Sequence, residues 1–381
     1  MFASFCINIA IGGDIMVLSA KIRIYPTKSQ EKILAYYCDC SHFMWNYMVE
    51  KFSNTDIIFG KYGPSSYSAK DLINDTLCNV PQRIALDVIK RYSYAIVEYR
   101  RGIKGKPKFH RRNRIKQSFR CASSKMYIKD GTVAVPSRNR GDPNKRDRIL
   151  LNSEQAKKYN IEFIKNPIFK NVRNKWFLIG EYDYVQDAPY SKNWVGIDWG
   201  VKNFITTSDG NVYNYPKRSR AEYERIQRLV RILSTKKVGS KNFDKLSKKI
   251  AIAYERQNNI KKDFIEKVGT KIAKNNNVSV ENLYGISVKG GRKFIRQNAI
   301  ISPRYDFFRR LKMKCEKYNS TYVEIDPSNT SRTCSGCGKI NESLSLHDRT
   351  FVCSCGLVLD RDINAAINIA TKGYLLYSSK P

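Results

Sequence analysis

Residues 194–199 read WVGIDW, residues 278–283 read VSVENL and residues 360–370 read DRDINAAINIA. In the first, Val195 and Ile197 fall on one face of a period-two strand that closes on Asp198. The second is a further short strand, ending at Glu281. In the third, Ile363, Ala366, Ile367 and Ala370 recur at helical spacing, which predicts a helix over 361–370 with those residues as its buried face. A carboxylate thereby stands at the end of each of these elements. Hard oxygen ligands suit Mg²⁺, and such a cluster can hold two ions about 4 Å apart, one activating water and one stabilising the leaving oxygen of a phosphodiester. The order strand Asp, distant strand Glu, final-helix Asp is what an RNase H-like site requires. Periodicity leaves the choice between Asp360 and Asp362 open, because positions two apart on a helix are turned by about 200° and flank the apolar face on opposite shoulders.

The histidines are His42, His110 and His347 alone, and none stands in an apparent triad, so nucleophilic hydrolase chemistry is disfavoured. The 381 residues carry 69 Lys plus Arg against 34 Asp plus Glu, a formal net charge of +35, yet 42% are hydrophobic. That apolar content supports packed cores, so the excess charge lies on a folded surface. A polyanion is then the expected partner, nucleic acid ahead of an anionic membrane, and a small-molecule substrate is not expected. The most apolar early stretch, residues 5–18, is short and interrupted by Asn8, Gly12, Gly13 and Asp14, so no membrane span is expected. Residues 1–15 read as a loose N-terminal extension, with Met16 as an alternative start.

Cys334-Ser-Gly-Cys337 and Cys353-Ser-Cys355 are separated by 15 residues, with Gly338 and Gly356 just beyond each pair. Tetrahedral Zn²⁺ takes four soft ligands, and two tight knuckles joined by a short ribbon supply them. A closed four-cysteine shell leaves no open position, so this zinc is structural. His347, inside the ribbon, is a weaker alternative ligand. The remaining cysteines (Cys6, Cys38, Cys40, Cys78, Cys121, Cys315) scatter among apolar or helical stretches and read as buried thiols of a reducing compartment.

The length favours two or three domains. Residues 17–25 alternate as a half-buried strand ending at Pro26, and Thr27 with Gln30 and Glu31 caps a following helix. Residues about 28–100 read as a helical insert, and short β runs at 126–128, 132–135 and 176–182 as a small β domain around it. From 100 to 120 there are ten Lys or Arg and no acidic residue. Its core, Lys104, Lys106, Lys108, Arg111, Arg112 and Arg114, is too dense in one sign for a neutralised surface and is the candidate phosphate-binding run. Asp209-Gly210 predicts a two-residue hairpin turn inside 204–213. Residues 217–274 carry 18 Lys or Arg against six Asp or Glu on amphipathic helices whose stripes are Ile226, Leu229, Leu233 and Ile260, Phe264, Val268, Ile272. Their basic backs form a second nucleic-acid track. Pro303 begins a helix through Leu311 and Cys315, and 322–325 is a strand.

The motifs RIYPTKSQ (23–30), GIDWGVKNFITTSDG (196–210), VSVENL, SNTSRTCSGCG (328–338) and CSCGLVLDRDINAAIN (353–368) resemble those of the TnpB (OrfB) proteins of small insertion sequences, ancestors of the type V CRISPR effectors. The resemblance covers about residues 17–371 and implies an α/β plus β chain. A wedge-type β domain with a helical recognition insert would span 16–190. A RuvC-like (RNase H fold) nuclease domain would span 191–330 and 358–371, interrupted by a zinc ribbon at 331–357, with a tail at 372–381. It implies an RNA-guided DNA endonuclease, monomeric on a guide RNA encoded by the element, that cleaves double-stranded target DNA beside a short adjacent motif. The catalytic acids would be Asp198, Glu281 and Asp362, holding two Mg²⁺, with Asp360 a non-catalytic neighbour and Cys334, Cys337, Cys353 and Cys355 holding one Zn²⁺. The compartment would be the cytoplasm of a prokaryotic host, or the nucleus for a relative of the eukaryotic Fanzors. Trp199, where the family more often has an aliphatic residue, and the shortened second cysteine pair depart from the pattern without removing a ligand. The alternatives are a nuclease-dead RNA-guided repressor on the same scaffold, a compact type V effector, and a plain zinc-ribbon nucleic-acid-binding protein.

Overall fold

The computed structural model describes residues 15–52, 59–60, 63–64, 68–111, 116–137, 147–159, 161–185, 190–200, 203–282, 303–345 and 348–379. Most of the expected extension, Arg112, Arg114 and His347 lie outside the described residues. The chain divides into two units, Met1–Val185 and Gln186–Pro381, close to the expected boundary at 190.

In the first unit, strand β1 (Ile15–Tyr25) buries Ala20, Ile22 and Ile24, while Lys21 turns outward and lies 4.0 Å above the ring of Phe177. Past Pro26 the helix Lys28–Phe52 is closed by a reciprocal cap: Gln30 N–H donates to Thr27 Oγ1 and Thr27 N–H donates to Gln30 Oε1. The Gln30 amide also donates to Asp147 Oδ1 and the Arg148 carbonyl, so a polar residue is buried at the helix start without loss of hydrogen bonds. A small hairpin, β2 (Phe59–Gly60) with β3 (Gly63–Pro64), and the helices Ala69–Thr76 and Gln82–Arg100 complete the helical insert.

The remaining strands are β4 (Lys116–Arg120), β5 (Lys125–Lys129), β6 (Thr132–Ala134), β7 (Arg148–Leu151), β8 (Phe163–Val172) and β9 (Lys175–Val185), in sheet order β4-β8-β5-β6-β7-β1-β9. Because β8 also pairs with β9, the ring closes and its strands have no free edge along the closed run. Helices and barrel share one core, in which Phe119 stacks on Phe169 and meets Tyr37 of the first helix edge-on.

The second unit is built on a five-stranded mixed sheet, order β12-β11-β10-β13-β14, in which β10 (Trp194–Trp199), β13 (Asn277–Glu281) and β14 (Tyr322–Ile325) run parallel. β11 (Ile205–Thr207) and β12 (Val212–Tyr213) are antiparallel additions on the other side. One face of the sheet presents Val195, Ile197, Val278 and Val280 to Phe264, Ile265, Val268 and Ile272 of the helix Lys241–Ala273 and to Phe307 and Leu311 of the helix Arg304–Lys317. By the period of two, Gly196, Asp198, Ser279 and Glu281 project to the opposite face. That face is covered by the terminal helix Arg361–Ser378, which packs on β10, β13 and β14.

The structure corrects several local expectations. The Asp209-Gly210 turn is a three-residue loop: Thr207 N–H donates to the Asn211 carbonyl, Gly210 N–H to the Thr207 carbonyl, and Gly210 takes φ +81°. Asp-Gly serves this bulged turn as well as the two-residue one. Pro303 stands at the cap of its helix and not in its first turn. The terminal helix runs on to Ser378 through the expected tail, and its buried residues are Asn364, Ala365, Ala366, Asn368, Ile369 and Gly373. Ile363, Ile367 and Ala370 are only half-buried. The stripe is rotated because two asparagines are buried by hydrogen bonds, which an apolar count cannot register. In the helix Lys217–Ser234, the expected stripe residues Leu229 and Leu233 are half-buried and Ile226 is fully so. Residues 350–360 form a separate hairpin, β15 (Thr350–Val352) with β16 (Val358–Asp360).

The close approach of the terminal helix requires glycine on both surfaces. A Cβ on Gly196 would strike the Ala366 carbonyl oxygen and the Ala370 nitrogen, main-chain atoms that cannot swing aside. A Cβ on Gly373 would strike the side chain of Ser279. Gly196→Ala is therefore expected to cost about 1–3 kcal/mol, lowering the unfolding midpoint by roughly 2–4 °C per kcal/mol for a unit of this size. Gly373→Ala should be rescued by Ser279→Gly, whereas no single partner change should rescue Gly196→Ala; thermal unfolding of the variants checks both.

Candidate functional site

Asp198 and Glu281 end neighbouring parallel strands. The register pairs Ile197 with Val280, so the two acids are the next residues in line and share the face on which the terminal helix lies. Asp362 is in the first turn of that helix, one turn before Ala366, whose carbonyl oxygen closes on Gly196. Burial, and after it the charges of Asp362 and Glu281, push the Asp198 carboxyl up to about 7, with Arg361 opposing. Burial likewise raises Glu281, against the Thr330 hydroxyl, which donates to Glu281 Oε1 at 2.5 Å, and against Lys372 and Arg304. Asp198 thus feels the charge of both other carboxylates.

Asp360 and Asp362 differ in what holds them. Asp360 precedes the helix and its Oδ1 accepts from Asp362 N–H at 2.9 Å and Ile363 N–H at 3.3 Å. That carboxylate is occupied with the helix terminus, while Asp362 lies on the helix itself.

The four cysteines predicted as ligands come together. Their sulfurs lie within 4.8 Å of one another, with Cys334 Sγ to Cys355 Sγ at 3.6 Å and Cys337 Sγ to Cys353 Sγ at 3.7 Å. Four sulfurs placed tetrahedrally about 2.3 Å from a zinc ion would be about 3.8 Å apart, so the donor set fits this metal. Each knuckle is closed by its own backbone: Gly338 N–H donates to the Cys334 carbonyl and Gly356 N–H to the Cys353 carbonyl. The Cys355 backbone N–H pulls the Cys353 thiol down to about 6, favouring the thiolate that a metal takes. Leu344, Phe351 and Leu357 fill the small core behind the cysteines.

In the first unit the basic run is an ordered strap. Trp45 Nε1 donates to the Lys108 carbonyl at 3.0 Å, and Asn46 exchanges two hydrogen bonds with the His110 backbone. The His110 ring stacks on the Trp45 indole at 4.5 Å. Lys106, Lys108 and Arg111 are exposed along it. Lys104 differs: its ammonium is bound by both Glu98 oxygens at 2.7–2.9 Å, which removes it from the set of uncommitted cations.

Sequence reasoning missed the polar residues that hold these parts in place, Thr330, Asn364, Asn368, Trp45 and Asn46. Two asparagines four apart in an otherwise apolar helix were a readable signal. Asn364 Nδ2 donates to the Thr333 carbonyl and its Oδ1 accepts from Ser335 N–H, while Asn368 Nδ2 donates to the carbonyls of Thr330 and Thr333.

Two outcomes are expected. Purified protein should contain one zinc per chain, and Cys334→Ser should lower both the metal content and the ribbon's stability, since structural zinc binding is coupled to folding; elemental analysis and thermal unfolding measure this. The second concerns pH. An unfolded Asp ionises near 3.9, whereas folded, metal-free Asp198 does so at about 7. Between these values the folded state binds the extra proton, so stability should fall as pH rises from about 4 to about 7 and then level. Asp198→Asn should flatten that slope, and Mg²⁺ should raise the midpoint of the parent protein above pH 7 but not that of the variant.

Three family models match the chain in succession: "Helix-turn-helix domain" of the OrfB group over residues 16–54, "Probable transposase" over 178–290, and "Cas12f1-like, TNB domain" over 305–369. Over the first, the described residues form one strand and one long helix. A Streptomyces pristinaespiralis protein named "Putative RNA-guided DNA endonuclease" is 34% identical over 206 residues, 52% of this chain and 50% of its own length. The chain thus spans about half of that relative. A TnpB-like protein of Acanthamoeba polyphaga mimivirus is 26% identical across 94% of this chain and 74% of its own. Among solved structures, the Cas12f1 chain of a complex with single guide RNA and target DNA shares the fold, with TM-score 0.59, 15% identity, and coverage of 94% of this chain and 99% of that one. From the strand that opens the barrel to the helix that covers the acid cluster, the chain is similar to the TnpB (OrfB) proteins.

Proposed function

We propose that the protein is an RNA-guided, Mg²⁺-dependent DNA endonuclease of a transposable element, which cuts double-stranded target DNA beside a short adjacent motif. The observation that carries the reading is the placement of Asp198 and Glu281 on neighbouring parallel strands, on the sheet face that the terminal helix covers, with Asp362 in the first turn of that helix and acting on Asp198. It is supported by the names of the relatives, an RNA-guided DNA endonuclease and a TnpB-like protein. Mg²⁺ bound there would supply water activation and charge stabilisation for phosphodiester hydrolysis. The chain's own part is to bring three half-buried carboxylates to one end of the sheet, with Thr330 fixing the Glu281 oxygen and Asp360 committed to the helix cap. On this reading the second unit is a RuvC-like nuclease carrying a zinc ribbon, and the first is a wedge domain with a recognition insert. Guide RNA and target DNA are held through backbone phosphates by the strap and the basic helices, one copy of the protein per guide.

Asp198→Ala, Glu281→Ala and Asp362→Ala should each abolish cleavage while guide and target affinity change by no more than about two-fold, because the acids hold cation and not phosphate. Asp360→Ala should keep cleavage and cost about 1 kcal/mol of stability through the lost cap. Cleavage assays beside binding titrations test this, and robust cutting by the Asp362 variant would sink the assignment. Neutralising Lys106, Lys108, Arg111, Arg112 and Arg114 together should weaken nucleic-acid binding and flatten its salt dependence by up to about 0.9 per lost duplex phosphate contact. Lys104→Ala alone should leave the slope unchanged. Equal slopes for the five-residue variant and the parent would remove the strap from the interface.

A further inference from the structure

Glu281 and the zinc knuckle are joined by an unbroken series of hydrogen bonds through residues 330–335. Thr330 Oγ1 lies 2.5 Å from Glu281 Oε1 and 3.1 Å from the Pro327 carbonyl. A hydroxyl has one proton, and the shorter, charge-assisted contact takes it. The Thr330 carbonyl is held by Asn368 at 2.9 Å, the Thr333 carbonyl by Asn368 at 2.7 Å and Asn364 at 2.8 Å, and the Ser335 N–H by Asn364 at 3.0 Å. Ser335 sits between the ligand candidates Cys334 and Cys337, and Asn364 lies two residues beyond Asp362 on the same helix. Both asparagines and Thr330 are buried, so water does not replace these partners at low cost. One segment therefore fixes a carboxylate at one end, a cysteine knuckle at the other, and the first turns of the helix that carries another carboxylate between them.

We propose that Thr330 is a positioning residue for the Glu281 carboxylate, and that segment 330–335 makes zinc binding at the knuckle strengthen Mg²⁺ binding at the acid cluster. The inference rests on the reading of the acids as Mg²⁺ ligands and of the cysteines as zinc ligands. An open knuckle releases Ser335 and Thr333 from Asn364 and Asn368, and Thr330 then loses the carbonyl contact that aims its hydroxyl. The plainer role for Thr330 is closure of the turn after Pro327, in which case its loss costs stability and leaves cation affinity alone.

The test uses the full chain, free of nucleic acid, with Mg²⁺ titrated against the thermal midpoint and zinc measured in each sample. Thr330→Val, which keeps the shape and removes the hydroxyl, should retain zinc and need about ten-fold more Mg²⁺ for the half-maximal shift, the lower end of what loss of such a supporting bond costs. Thr330→Ser should restore the parent value. Cys337→Ser should shift the Mg²⁺ requirement in the same direction. Ser335→Pro, which keeps all four cysteines but removes the N–H given to Asn364, should do so with zinc still bound, and stands in should the cysteine variant not fold. An unchanged Mg²⁺ midpoint in Thr330→Val overturns the positioning role, and unchanged midpoints in the knuckle variants overturn the coupling. Absence of any Mg²⁺ shift in the parent protein would instead overturn the reading of the acid cluster on which both depend.

Discussion

The contact of the terminal helix with β10 and β13 governs the second unit. Gly196 on the sheet lets main chain meet main chain, Gly373 on the helix makes room for the Ser279 side chain, and at that separation the helix cannot slide or roll without collision. Its N-terminal turn is thereby set over the ends of two parallel strands, where Asp198 and Glu281 project. The site is a consequence of backbone packing, and its precision comes from the stiffest part of the fold.

Against that packing stands electrostatic repulsion. Burial first, and after it the charges of Asp362 and Glu281, oppose ionisation of Asp198, which is why it keeps its proton to about pH 7. Arg361 tempers Asp198, and the Thr330 hydroxyl, Lys372 and Arg304 temper Glu281. A net charge of +35 elsewhere does little to relieve this, since exposed charges beyond about 10 Å are screened by salt. The cysteine cluster follows the same logic with softer donors: thiolates only 3.6–3.7 Å apart are stable together when a cation lies between them.

Much of this was legible in residue patterns, and the failures have identifiable causes. Strands β10 and β13 were readable because burial on one face gives a period of two, and their terminal acids interrupt it. The cysteines were readable because ligand spacing is short-range. The face of the terminal helix was misjudged because Asn364 and Asn368 are buried through bonds to carbonyls more than thirty residues earlier in the chain, a partner no local pattern reveals. Lys104 was counted with its neighbours because its pairing with Glu98 depends on how the helix Gln82–Arg100 ends. The Asp209-Gly210 turn was mistaken in length since the same dipeptide serves two turn geometries. Barrel closure in the first unit follows from β8 pairing on both sides, again a long-range fact.

The sequence separation of the three acids has a bearing on when the acid cluster can form. The barrel unit ends at Val185 and, among the described residues, its core draws on none later in the chain, so it can fold while the rest is still being synthesised, as N-terminal domains do. The acid cluster has no such liberty. Asp198 and Glu281 emerge early, but the helix that brings Asp362 to them is seated by Ile369 and Gly373, and its order extends to Ser378. The acid cluster is thus absent from a nascent chain until the terminal helix has emerged, after the barrel has had time to take shape.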